Sequence, residues 1–259
     1  MESLLKRLND IGFERTRRAV AALTLSLLLS FHLVLALVLF FNGQTALVPA
    51  LVALAVCYGV AFMGVAAEWF WGRWFAEGLG WSGVMIAVAS LVMIGGWQPF
   101  LGIFGAVHGL VVLMLAGTKM AERFDLQPAW RERYGMDEFA VARLRKTVTR
   151  ASASLPSVIF WALGPKDPGQ GMALTAIAAL TLTVVGLGGV VRLRTWGLVA
   201  LAGALVMVLA GGDLAGPRLA LSSGLPAWLG LGSTLAAGLL LLAIAPFAAP
   251  AARFLRARL

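Results

Sequence analysis

The chain has 259 residues, 60% of them apolar and only 13% charged, with a formal net charge of +9. A soluble domain usually carries about 25% charged and about 45–50% apolar residues, so this composition excludes an ordinary soluble globular fold. The apolar residues form uninterrupted blocks without period-two alternation, which excludes a membrane β-barrel as well.

These blocks read as an all-α, polytopic helical membrane protein. A membrane helix needs about 20 apolar residues to cross roughly 30 Å of hydrocarbon. The excess of Lys and Arg is then read as a cytoplasmic bias toward anionic lipid headgroups, and no nucleic-acid partner is expected. The single cysteine, Cys57, lies inside an apolar block, so it supports neither an internal disulfide nor a cysteine metal cage.

Residues 1–18 hold Lys6, Arg7, Arg15, Arg17 and Arg18, with Leu4, Leu8 and Ile11 at helical spacing. They predict a short interfacial segment on the cytoplasmic side. The uncharged stretch that follows is longer than a signal-peptide core, so the first block is read as a retained span. The first membrane half then covers 19–118. Spans are predicted at about 19–41, 46–66, 80–97 and 99–118, with turns at Asn42–Thr45 and Gln98–Pro99. Trp69, Phe70, Trp71, Trp74, Phe75 and Trp81 mark an interfacial stretch between the second and third spans.

Residues 119–150 are the one substantial polar region. Asp137 is the candidate N-cap of an amphipathic helix carrying Phe139, Val141, Leu144 and Val148. Arg131, Arg133, Arg143, Arg145 and Lys146 are its candidate contacts for a partner protein or for lipid. The acids Asp125, Glu132, Asp137 and Glu138 are read as a solvated, salt-bridged surface. The second membrane half covers 151–250. It has one short apolar piece, Ala151–Leu163, and full-length blocks at about 171–191, 196–212 and 226–249. Residues 251–259 form a basic cytoplasmic tail.

Charge decides whether the short piece crosses. Without it there are seven spans, and Arg192, Arg194, Arg253, Arg256 and Arg258 fall outside. With it there are about eight crossings, seven full-length plus one short, and only Lys166 and Arg218 fall outside. The positive-inside rule selects the second arrangement, with N- and C-termini cytoplasmic in a bacterial inner membrane. A faint internal echo accompanies it: Gly72-Arg73-Trp74 and Arg194-Thr195-Trp196-Gly197 both place Arg and Trp at a joint between spans.

Both histidines are intramembrane. His32 lies ten residues before Asn42, and His108 ten after Gln98. At about 1.5 Å per residue both sit roughly 15 Å below the outer interface. Two neutral imidazoles at one depth are the ligand set of a b-type haem. Gly102, Gly105 and Gly109 would admit a flat macrocycle or simply a neighbouring helix. Histidines that only hold helices together are the plainer reading. No span carries a mid-membrane carboxylate, and no His-Glu-x-x-His, phosphate loop or nucleophile elbow occurs. The sequence therefore points to a non-enzymatic membrane scaffold or subunit recruiting a cytoplasmic or membrane protein partner through 119–150. A haem electron carrier using His32 and His108, or a permease for a neutral or hydrophobic solute, are the alternatives.

Overall fold

The computed structural model describes residues 13–94, 98–164, 173–211 and 227–256. All regular elements among them are helical: α1 (Phe13–Phe41), a short 3₁₀ turn (Thr45–Leu47), α2 (Val48–Ala66), α3 (Gly72–Ile94), α4 (Pro99–Leu115), α5 (Thr118–Phe124), α6 (Pro128–Tyr134), α7 (Glu138–Leu163), α8 (Ala173–Val191), α9 (Trp196–Gly211) and α10 (Ala227–Arg256). Four helices are long and apolar enough to cross a membrane: α1, α2 with its preceding turn, α3 and α8. A fifth is added if α4 and α5, bent by 73° at their joint, count as one span. α9 and Ser233–Ala248 are shorter apolar helices. Of the interfacial segment predicted over residues 1–18, residues 13–18 are the start of α1, while residues 1–12, Lys166, Arg218 and Arg258 lie outside the described residues.

Local signals set several boundaries. Pro99 opens α4 and Pro128 opens α6, where a missing N–H costs nothing. The Asp137 side chain accepts from the Ala140 amide at 2.6 Å, capping α7 as predicted. Gly135 ends α6 in the left-handed conformation that glycine adopts without a Cβ penalty.

Several boundaries differ from the sequence reading, two of them at the buried core between the halves. α3 begins at Gly72, not near residue 80, so Arg73 and Glu77 are helical and buried. The cut between a polar segment ending at 150 and an apolar piece starting at 151 does not exist in the backbone. α7 runs through it for 26 residues, about 39 Å at 1.5 Å per residue. Its N-terminal half is amphipathic. From Ala151 to Ile159 every residue is buried, Ser152, Ser154 and Ser157 included. Protein rather than lipid or water surrounds this stretch, so its modest apolar content is no obstacle to helix formation there.

The halves repeat each other. α2 and α8 are displaced by 125 positions at both ends, 48 to 173 and 66 to 191. In each half consecutive helices pack together and the first closes against the fourth: α1 to α4 in one ring, α7 to α10 in the other. The two tight hairpins match bond for bond. Trp69 N–H donates to Gly64 O at 3.0 Å, and Arg194 N–H to Gly189 O at 2.8 Å. Gly72 N–H donates to Trp69 O at 2.8 Å, and Gly197 N–H to Arg194 O at 3.0 Å. Glu68 and Leu193 are the two non-glycine residues with positive φ among the described residues, at 54° and 58°. A Cβ on Gly72 would lie 2.3 Å from Gly64 carbonyl atoms, and one on Gly197 2.4 Å from Val190 N, so both hairpins need glycine to close. The echo in the sequence is therefore a real joint read in the wrong register. Trp71-Gly72 corresponds to Trp196-Gly197, and Arg73 to Leu198.

The rings meet through α7, which packs on α3 and α2, and through α10 on α3. Gly78 sits at the crossing: a Cβ there would lie 2.0 Å from Ser152 Oγ and 2.3 Å from Thr149 O. Side chains of α7 also donate to backbone carbonyls of α10. Pro246 cannot donate to the carbonyl four residues earlier. That carbonyl, Leu242 O, accepts instead from Arg150 Nη1 at 2.7 Å, and Thr147 Oγ1 donates to Ala243 O at 2.6 Å.

Candidate functional site: a buried ion cluster and a buried His-Tyr-His stack

Two buried polar clusters stand out, and both lie in the first ring or against it. The first lies where α5 and α6 fold back on the ring. Arg73 and Glu77 share one face of α3 at i, i+4 spacing, where side chains meet. Arg73 is buried, and each of its nitrogens has a partner. Nε donates to Leu115 O at 2.8 Å, Nη1 to Asp125 Oδ2 at 2.7 Å, and Nη2 pairs with Glu77 Oε1 at 3.0 Å. Leu115 is the last residue of α4, whose final carbonyls lack helical donors and carry partial negative charge. Arg17 completes the same cap by donating to Leu113 O and Ala116 O at 2.7 and 2.6 Å.

Asp125, just after α5, takes Arg73 on one oxygen and Trp74 Nε1 on the other at 2.8 Å. Burial pushes its carboxyl up from the ordinary aspartate range, and Arg73 and Arg145 pull it back. Phe70 stacks on Trp130 of α6 with centroids 4.3 Å apart. Arg123 pairs with Glu68 at 2.7 Å, and Glu68 also contacts Arg18. The connector is thus pinned by a charge, a ring and a surface ion pair. The expectation that Asp125 belongs to a solvated surface is overturned by its burial.

The predicted contact residues divide. Arg131 is half-buried, and its Nε donates to Met136 O at 3.4 Å. Arg133 is exposed, its guanidinium 5.6 Å from the Tyr134 ring centroid. Arg143 bonds Phe139 O in its own helix at 3.2 Å. Arg145 reaches Glu77 Oε2 at 3.5 Å, and Lys146 is exposed. Arg145 and Lys146 line a cleft of about 670 Å³ between α3, α5 and α7, together with Glu77, Trp81 and Asp125.

The second cluster is at the predicted histidines, and it contains a residue the sequence reading missed. Tyr58 of α2 lies between them. Its ring stacks on His32 with centroids 4.9 Å apart, and its hydroxyl is 2.7 Å from His108 Nε2. Each imidazole Nδ1 lies within hydrogen-bond distance of the carbonyl four residues back, Leu28 O at 2.7 Å and Phe104 O at 2.8 Å. Gly83 of α3 makes room: a Cβ there would fall 2.1 Å from two ring atoms of His108. The signal was present, since Tyr58 is ten residues into α2, the depth assigned to both histidines.

A bis-imidazole haem needs a free nitrogen from each ring facing a common iron. Here the Tyr58 ring separates the two imidazoles and its hydroxyl is on His108 Nε2. The arrangement does not fit that ligation. Among the described residues no three His, Cys, Asp or Glu side chains gather to hold a metal ion. Counting 125 positions on from His32 and Tyr58 gives Ser157 and Thr183, both buried. Each ring thus keeps polar side chains in its core, but only the first uses aromatic, titratable ones. No protein-family model, curated protein or solved structure matches the chain.

Proposed function

We propose that the protein is a non-enzymatic scaffold or membrane subunit of a bacterial inner membrane. It crosses about eight times with both termini cytoplasmic and displays residues 119–150 as a fixed platform for a protein partner. The repeat supports the eight crossings, because α7 occupies in the second ring the place that α1 occupies in the first. The distribution of Lys and Arg supports the orientation.

The observation that carries the scaffold reading is Phe139. It is 76% exposed on the first turn of α7, at the charged end of the molecule, where Tyr134 is also exposed. Large apolar side chains on a rigid, otherwise charged surface mark contact sites. The platform beneath is held by Arg73, Asp125 and Trp130, so a partner would meet a preformed surface and lose little ordering entropy.

A photo-reactive amino acid at position 139 tests this in native membranes. The expected product is one stoichiometric protein adduct, lost when Arg131 and Arg133 are both changed to Glu. Adducts with lipid alone would end the scaffold reading. The crossing number has its own readout. A reporter inserted at Asp167 should be external and one at Leu259 internal, and an internal reporter at Asp167 would remove the eighth crossing.

A further inference from the structure

We propose that the cleft between α3, α5 and α7 is a binding site for a phosphate group, and specifically for the headgroup phosphate of one phospholipid from the adjoining leaflet. This rests on the membrane reading above but requires no protein partner.

The cleft is lined by Glu77, Asp125 and Glu138 and by Arg145, Lys146 and Arg150. Its two deep carboxylates are already satisfied from behind by Arg73, at 3.0 and 2.7 Å. Counting Arg73, four cations face three carboxylates, and the surplus positive charge lies on the open side. Lys146 has no ion-pair partner among the described residues. Arg145 makes only the 3.5 Å contact to Glu77 and remains 43% exposed. Arg150 uses Nη1 on Leu242 O, and a guanidinium has further donors to offer.

Geometry gives the same answer. Lys146, Thr149 and Arg150 stand at i, i+3 and i+4 on α7, so their side chains share one face, and all three line the cleft. The Thr149 hydroxyl is buried without a hydrogen-bond partner, an uncommon state for a polar atom that a bound acceptor would relieve. An ammonium, a hydroxyl and a guanidinium on one face are a donor set suited to phosphate oxygens. The opposite wall supplies Trp81, 49% exposed, an amphipathic ring of the kind that settles at the headgroup level. A cleft of about 670 Å³ is within the range of sites that enclose a small ligand, about 300–1,000 Å³.

Native mass spectrometry of the detergent-purified full chain tests the site, with phosphatidylglycerol, diacylglycerol of the same acyl chains, and inorganic phosphate as separate probes. The expected result is one retained phosphatidylglycerol and no retained diacylglycerol. Retention should weaken at least tenfold in Lys146→Glu/Thr149→Val and stay unchanged in Arg133→Glu, which lies outside the cleft. Matched thermal unfolding of the variants shows that the fold is intact. Equal retention of diacylglycerol, or undiminished retention by the double variant, would overturn the proposal. Capture of inorganic phosphate with no phospholipid would overturn the lipid assignment and leave a soluble phosphate as the ligand. A failure here leaves the adduct at position 139 unaffected, so the two readings fail separately.

Discussion

Replacing Arg73 with Met is expected to destabilise the protein by about 3–5 kcal/mol, the usual consequence of removing one partner from a buried ion cluster. Asp125 and Glu77 would then be buried without their shared cation, and the C-terminal carbonyl of α4 would lose a donor. Because Asp125 anchors the connector, the effect should have a place as well as a size. Limited proteolysis in detergent should cut the variant between residues 116 and 137 and leave the wild-type chain intact there. The loss is specific to stranded charge, so Arg73→Met/Glu77→Gln/Asp125→Asn should recover much of it. Trp74 Nε1 would still find the Asn oxygen in place of the Asp125 carboxylate. A fully stable Arg73→Met variant with a protected connector would show that Phe70, Trp130 and the surface ion pairs hold the platform without it.

Gly78→Ala should cost about 1–3 kcal/mol, the range for overpacking a close-packed contact. The new methyl would meet Ser152 Oγ at 2.0 Å and, more seriously, Thr149 O at 2.3 Å. A side chain can rotate away, but a helix carbonyl cannot move without shifting α7 from α3. The repeat provides a matched control. Gly203 is 125 positions further on, and a Cβ there meets only the flexible Leu182 side chain, at 3.3 and 4.0 Å. Thermal unfolding should therefore separate Gly78→Ala clearly from a near-neutral Gly203→Ala. Equal melting would mean that α3 and α7 are not in close contact and that the rings join elsewhere.

Both predictions depend on residues whose partners are far away in the chain. Asp125 is 52 positions from Arg73, and Ser152 is 74 from Gly78. Read locally, Glu77 and Asp125 look like charges at the ends of apolar blocks, and interleaved arginines make a solvated surface the natural expectation. The i, i+4 spacing of Arg73 and Glu77 beside Trp74 was the available hint of burial. It did not specify a third partner, because a carboxylate in a connector can face water or protein equally well. Tyr58 follows the same logic. Its depth was calculable, but stacking on His32 and bonding to His108 require α1, α2 and α4 to be brought together around it.

The sequence by itself determined the helical class, the long apolar helices, the Pro and Asp starts of helices and the polar character of the connector. These are local properties: a run of apolar side chains, a missing N–H and a capping carboxylate act within a few residues of themselves. Tertiary structure alone decided that α7 is one continuous helix, buried from Ala151 to Ile159, that Tyr58 parts the histidines, that the connector is pinned by Arg73, and that two rings of four helices repeat at a spacing of 125. The repeat is nearly silent in sequence for a physical reason. Lipid-facing positions accept almost any apolar residue, so side chains diverge freely. Helix length remains fixed by the thickness to be spanned, and the hairpin glycines remain fixed by backbone contact.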